Sequence, residues 1–312
     1  MSVACVGEAL VVLVQAQPGS LEDSLTFTRS LGGAEVNVAI ALAAHGVPAS
    51  VITRVGDDGF GRYVVRTLDE LGVSTAGISV DSTRPTGLYV KEVGGDSGQS
   101  TDLGEQRSTM HYYRAESAGS ALSVATLRDP QVARTLGAAS AIHTTGITAA
   151  LSVSSSAALT VLMAERAPEQ LMSFDLNWRE ALWRGRRDEA AETLGSHIAQ
   201  SDLALLGRSE ALAVFGTDQP EALRELFPEP RWLVVKNDGE AAVGFDRSRK
   251  VEVAAPVRDV VEPIGAGDAF AAGVIAALRD GADVSVALVR GHASAGRALA
   301  SLGDHIGAQQ GE

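Results

Sequence analysis

The chain of 312 residues is 45% hydrophobic, enough to fill one large α/β core. Its 26 Lys plus Arg against 39 Asp plus Glu give a net charge of −13, a field that repels a phosphate polymer and argues against nucleic acid as a partner. The one cysteine, Cys5, excludes an internal disulfide framework and fits a reducing compartment, and no leader pattern or membrane-length apolar run is seen, so a cytoplasmic protein without membrane contact is expected.

In chain order, strand-length apolar segments stand at Val3–Val6, Ser50–Thr53, Ala141–Thr144, Leu171–Phe174, Leu203–Leu206 and Trp232–Val235. Between and after them, helical stretches are predicted at Val36–His45, Phe60–Leu71, Ser154–Arg166, Ala266–Arg279 and Ser285–Leu302. Such alternation predicts βαβ units around a mostly parallel sheet. Two regions break it: Ala9–Val14, and Thr86–Tyr113, where Leu88–Val93 and Met110–Tyr113 read as strands joined through a polar connection containing Gly94 to Gln99. With no helix between them, these strands form either a small separate sheet or an extension of the main one. A separate sheet over the C-terminal strand ends would be a lid, because ligands of open α/β sheets bind there.

The segment Gly265-Ala266-Gly267-Asp268 opens the Ala-rich helix. Bare backbone and the free N–H groups of a first turn make an anion site. Asp268 in that turn is either a base for a hydroxyl aimed at phosphorus or a plain complement to the helix dipole, and the dipole is expected to depress its pKa. Phe270 stands where a dinucleotide fingerprint needs Gly, and no Gly-Lys-Ser/Thr follows for a P-loop. His143 and His292 lack acidic or cysteine companions at metal spacing and read as core or surface residues.

These motifs together resemble the ribokinase-like (PfkB) sugar kinases over essentially the whole chain. The resemblance is carried by Gly265 to Asp268, by Gly32-Gly33-Ala34-Glu35-Val36-Asn37, by Arg54 to Gly61 and by Asp175-Leu176-Asn177. It implies a three-layer α/β/α domain over 1–312 with a mostly parallel sheet and a small β-sheet lid built from about 8–30 and 84–115. It also implies ATP-dependent transfer of a phosphoryl group to a sugar hydroxyl, with Mg²⁺ and with assembly into homo-oligomers through the lid; a monovalent cation is left open. Within the family, Tyr112-Tyr113-Arg114, Gly146-Ile147-Thr148 and Trp178-Arg179 resemble kinases of the sugar acid 2-keto-3-deoxygluconate. By that resemblance Gly33, Ala34, Glu35, Asn37, Tyr89, Tyr113, Arg114, Arg179 and Asp304 would surround the sugar, with Asp268 as base and Gly265, Ala266 and Gly267 as anion cradle. An aldonate carries a carboxylate that a neutral hexose lacks, and arginine forks at Arg114 and Arg179 suit it. A neutral sugar such as fructose or ribose is the alternative, as is a sugar-acid-binding protein with weakened catalysis.

The nucleotide half departs from the family. Asn177, Gly207, Glu210, Lys236, Asp238, Gly239, Glu262, Gly265, Gly267 and Ala293 are its expected contacts, with Glu210 placing Mg²⁺ through water. Gly207, Asp238, Glu262 and Ala293 stand where relatives carry other residues. Lys236 reads equally as a nucleotide neighbour or as a strand-end surface lysine.

Overall fold

The computed structural model describes residues 2–94, 108–237, 239–257 and 264–300. Its strands are β1 (Ser2–Val6), β2 (Leu10–Gln15), β3 (Phe27–Gly32), β4 (Ala49–Gly56), β5 (Ile78–Asp81), β6 (Leu88–Val93), β7 (Ser108–Tyr113), β8 (Ala139–Thr145), β9 (Leu171–Asp175), β10 (Leu203–Gly207), β11 (Trp232–Asn237), β12 (Ala241–Asp246) and β13 (Arg249–Ala254). The main sheet runs β13-β12-β11-β10-β9-β8-β1-β4-β5. It is parallel from β5 to β11, and β12 and β13 are antiparallel additions. The parallel part follows from the helical crossovers. From β11 to β13 the chain turns back directly, with Gly239 at φ 76° in the first turn, so those strands pair antiparallel.

Successive residues of the inner strands enter opposite cores. Val3, Cys5, Leu203, Leu205 and Val234 face one apolar cluster with the helices Ala34–Ala44, Gly59–Glu70, Ala266–Arg279 and Val284–Leu299. Ala4, Val6, Ala204, Leu206, Leu233 and Val235 face the other with Val153–Glu165, Arg187–Ala199, Arg208–Phe215 and Pro220–Leu226. Period-two alternation with both faces apolar is what a sheet covered on both sides requires, and it yields the expected three layers. Cys5 is enclosed in the first cluster, where burial pushes its thiol far above the ordinary range. Among the described residues no helix is long and apolar enough to cross a membrane.

The two last helices cross closely because glycines meet there. A Cβ on Gly273 would lie 2.5 Å from the Arg290 carbonyl, and one on Gly291 would lie 2.8 Å from the Phe270 ring. That crossing, with the packing of Ala34–Ala44 against Ala266–Arg279, fixes two helix N-termini side by side.

The second sheet is separate, in the order β3-β2-β6-β7. Val11 and Leu31 join the main core, while Leu10, Val12 and Tyr89 form a small cluster of their own. Its connection to the main sheet is locked by Asp58. This residue caps the helix Gly59–Glu70 through Gly61 N (2.7 Å) and also accepts from Thr86 N (2.8 Å) just before β6. Thr86 in turn accepts from Gly56 N at 2.9 Å. The Arg54 to Gly61 motif is therefore a structural joint.

Candidate active site

Parallel strands place their C-terminal ends on one edge, and the polar residues of this chain gather there. Asp175 ends β9, Lys236 lies at the end of β11, Gly207 ends β10, and Glu210 follows in the first turn of Arg208–Phe215. Register sets Gly207 beside Lys236, and Asp175 beside Leu205 and Thr145. Asp268 arrives from the other side, in the first turn of Ala266–Arg279, whose N-cap Gly265 takes the left-handed φ of 78° that favours glycine. Gly267 leaves open space beside its backbone, as an anion cradle requires.

Asp268 Oδ2 accepts a 2.8 Å hydrogen bond from Asn37 Nδ2. Asn37 sits in the first turn of Ala34–Ala44, donating its backbone N–H to the carbonyl of the N-cap Gly33. The other side-chain atom, Asn37 Oδ1, is buried without a partner among the described residues. Burial raises the Asp268 carboxyl to about 7; the Asn37 bond, Arg179 and Lys236 pull it down, and Asp175 adds to the rise. The expected depression by the dipole is thus reversed, because desolvation outweighs the partial charges of a helix end.

Lys236 Nζ binds Asp175 Oδ2 at 2.7 Å, and its side chain is only 18% exposed. The surface-lysine reading is corrected by that enclosure. Burial alone would lower the ammonium pKa; the carboxylates of Asp175, Glu210 and Asp268 outweigh it and hold the group above its ordinary value. Glu210 is raised, first by burial and then by Asp175, against Lys236 and Arg179. Its carboxylate folds back over Gly207, accepting from Gly207 N at 3.3 Å, and a Cβ at Gly207 would lie 2.9 Å from Glu210 Oε2. The glycine is therefore what admits this Glu210 conformation. Arg179 donates to the Trp178 carbonyl at 2.8 Å and to Glu210 at 3.4 Å, and remains about half exposed. Asn177 holds a left-handed φ of 36° with a buried Oδ1 that has no partner among the described residues, a strained backbone at a strand end of the kind that concentrates at functional sites.

The expected sugar residues divide. Gly33 and Ala34 line the turn into Ala34–Ala44, and Tyr89 packs over Gly32, where a Cβ would meet its ring at 2.9 Å. Tyr89 also meets the Tyr112 ring at a tilt of 43° with centroids 5.2 Å apart, while Tyr113 stands well exposed on β7. Glu35 is a correction: it is wholly buried, and Oε1 accepts from Thr145 N, Thr145 Oγ1 and Thr148 Oγ1 at 3.0, 2.8 and 2.7 Å. These bonds to Oε1 hold the end of β8 to the helix start, while Oε2 is buried without a partner among the described residues; with no exposed surface, the side chain is a structural tie and not a sugar contact. Burial raises Glu35 to about 7 against the two threonine bonds. Arg114 gives one guanidinium arm to buried Glu8 and lays its face over the Tyr112 ring. Asp238, Glu262 and Asp304 lie outside the described residues. Ala293 is half-buried on Val284–Leu299, next to His292, which bonds the Val253 carbonyl of β13. His143 is enclosed at Ser173, and no group of three His, Cys, Asp or Glu forms a metal cage among the described residues.

Glu8, Asp175 and the Asp58 joint were not singled out as site residues from sequence. The signal for Asp175 was its place at a strand end; Glu8 offered only a lone acid interrupting an apolar run.

Residues 1–310 match the family described as pfkB family carbohydrate kinase. The 2-dehydro-3-deoxygluconokinase of Thermoproteus tenax is 31% identical over 98% of this chain and 90% of its own length. Fructokinase-1 of Oryza sativa subsp. japonica is 30% identical over 85% of this chain and 79% of its own. Among solved structures, the PfkB protein from Polaromonas sp. JS666 superposes with a TM-score of 0.83 at 31% identity, covering 95% of each chain.

Proposed function

This chain belongs to the pfkB family of carbohydrate kinases, and from that premise we propose that it transfers the γ-phosphoryl group of ATP to the terminal hydroxyl of a small sugar acid. The acid that fits best is 2-keto-3-deoxygluconate, also named 2-dehydro-3-deoxygluconate. The observation that carries the reading is the Asn37–Asp268 pair, set where two helix N-termini meet at the strand-end edge.

In this reading Asp268 takes the proton of the sugar hydroxyl as that oxygen attacks phosphorus. Asn37 holds the carboxylate in place and keeps its own Oδ1 free to accept from a second hydroxyl. The first-turn N–H groups of Ala266 and Gly267 face the equatorial oxygens, whose charge is spread in a loose transition state. Lys236 offsets the negative charge of Asp175, Glu210 and Asp268 so that the nucleotide phosphates can enter. The oxygen donors on hand, Glu210 and the buried Asp175 Oδ1, which has no partner among the described residues, suit a hard cation held through water beside phosphates. Mg²⁺ bound there supplies charge neutralisation to the phosphates. The small sheet, roughly 8–30 with 84–115, is the lid of this reading and the surface on which copies of the chain pair.

Arg179 is assigned to the acid's carboxylate. Arg179→Ala should lower kcat/KM for the keto-acid by about tenfold or more, while a neutral analogue loses little. Equal losses for both would move Arg179 to phosphate binding. One observation favours a neutral sugar as substrate: Arg114, the second fork, has its charge already balanced by Glu8.

A further inference from the structure

The chain leaves β1 at Val6 and enters β2 at Leu10, so Glu8 stands in the crossing between the two sheets. Register explains why Arg114 meets it. Leu88 pairs with Val11 on one side and with Tyr113 on the other, so the residue after Tyr113 emerges at the end of the small sheet where Glu8 feeds β2. The two residues are 106 positions apart and join through Arg114 Nη1 and Glu8 Oε1.

The pocket around Glu8 is built to hold it. A Cβ on Gly33 would lie 2.3 Å from the Glu8 carbonyl, and one on Gly119 would lie 3.1 Å from Glu8 Cβ. Both glycines therefore give Glu8 its space, and Gly33 is also the N-cap of the helix that carries Asn37. Glu8 is 1% exposed, and the side chain of Arg114 is 12% exposed. Burial raises the Glu8 carboxyl above its ordinary value, and the charge and hydrogen bond of Arg114 pull it part of the way back. The fixed ring of Tyr112, 4.4 Å below the guanidinium, sets the remaining freedom of the arginine.

We propose that Glu8 is a positioning residue for the sugar: it locks Arg114 beside the Gly33 to Asn37 turn, leaving the other guanidinium arm to bind the sugar substrate. An unlocked arginine would carry several rotatable bonds into the site, and ordering them on binding would weaken affinity without touching the phosphoryl-transfer step. The effect should therefore appear in sugar KM. That the free arm reads a carboxylate rests on the sugar-acid reading; the locking does not.

The test is steady-state kinetics on Glu8→Ala, Glu8→Gln, Arg114→Ala and the double variant Glu8→Ala with Arg114→Ala, using whichever sugar the wild type phosphorylates fastest. Glu8→Ala should raise the sugar KM by about tenfold or more, with kcat and the ATP KM within about threefold of wild type. Glu8→Gln, whose amide oxygen still accepts from Arg114, should recover most of that loss. In the Arg114→Ala background Glu8→Ala should cost nothing further, since the two act through one contact. Sugar KM unchanged in both Glu8 variants, an equal rise in ATP KM, or simple addition of the two single effects would overturn the proposal. Where Glu8→Ala does not fold, Glu8→Gln decides alone: a sugar KM raised less than in Arg114→Ala with ATP KM unchanged supports it, and any other pattern removes it. A wild type that prefers a neutral sugar would sink the sugar-acid reading while leaving this test intact.

Discussion

Asp268→Asn should lower kcat by about a thousandfold or more while sugar affinity, measured by calorimetry, stays within a few-fold of wild type. The amide keeps the shape and can still pair with Asn37, so what disappears is the proton acceptor. Because burial lifts the carboxyl to about 7, it is poised where a base is most useful, and kcat/KM of the wild type should fall tenfold per pH unit below about pH 7. The same shift fixes the sign of a stability effect. A carboxyl whose pKa is raised on folding stabilises the fold below its ordinary value of about 4, and that contribution is lost as pH rises through about 7. Asp268→Asn, uncharged throughout, should therefore melt above wild type at pH 8, with the gap shrinking toward pH 5. Turnover within tenfold of wild type would remove Asp268 from the base role, and a lower melting temperature at pH 8 would remove the burial argument.

Lys236→Met is expected to have the second largest effect. The substitution keeps the stem and deletes the charge that Asp175, Glu210 and Asp268 share. Three carboxylates would then face one another with only half-exposed Arg179 against them. Catalysis should fall about a hundredfold in kcat/KM, comparable to the loss of a transition-state donor. Position in the pH profile separates this from general damage: Lys236 holds Asp268 down, so its removal should move the acidic limb to higher pH. A limb that stays in place, whatever the rate, would mean that Lys236 serves Asp175 alone.

Much of this architecture was legible in the sequence. Strand runs such as Leu203–Leu206 are apolar at every position, which fits burial on both faces, and the structure sends alternate residues into opposite cores. The break in rhythm at Ala9–Val14 and Leu88–Val93 left a separate sheet and an extension of the main one both open, and the structure makes the sheet separate. Gly265 to Asp268 announced a helix start from local chemistry alone. What escaped was whatever depends on distant segments meeting. The Asp268 carboxyl is raised by burial in the folded chain, against the pull of the bond from Asn37, 231 positions away, whereas the dipole argument saw only the helix itself. Glu35 lies in a motif that faces the site, yet its own side chain turns to Thr145 and Thr148, since in a helix adjacent residues point to different sides. Glu8, a lone acid in an apolar stretch, gains a partner only where register brings Arg114 to it. The backbone and dipole features were local; the charge pairs were not.

The nucleotide half sharpens the same lesson. At Gly207 the Glu210 carboxylate folds back to 2.9 Å from where a Cβ would stand and accepts from the glycine's own N–H.

The most direct test is the rate of ADP release from Mg-ATP, read as kcat/KM for 2-keto-3-deoxygluconate against fructose, ribose and a sugar alcohol matched in length. Preference for the keto-acid by about tenfold or more is expected if Arg179 reads its carboxylate. A neutral sugar turned over as well as or better than the acid would contradict the substrate assignment, and no ADP release with any of them would contradict the kinase chemistry built on Asp268.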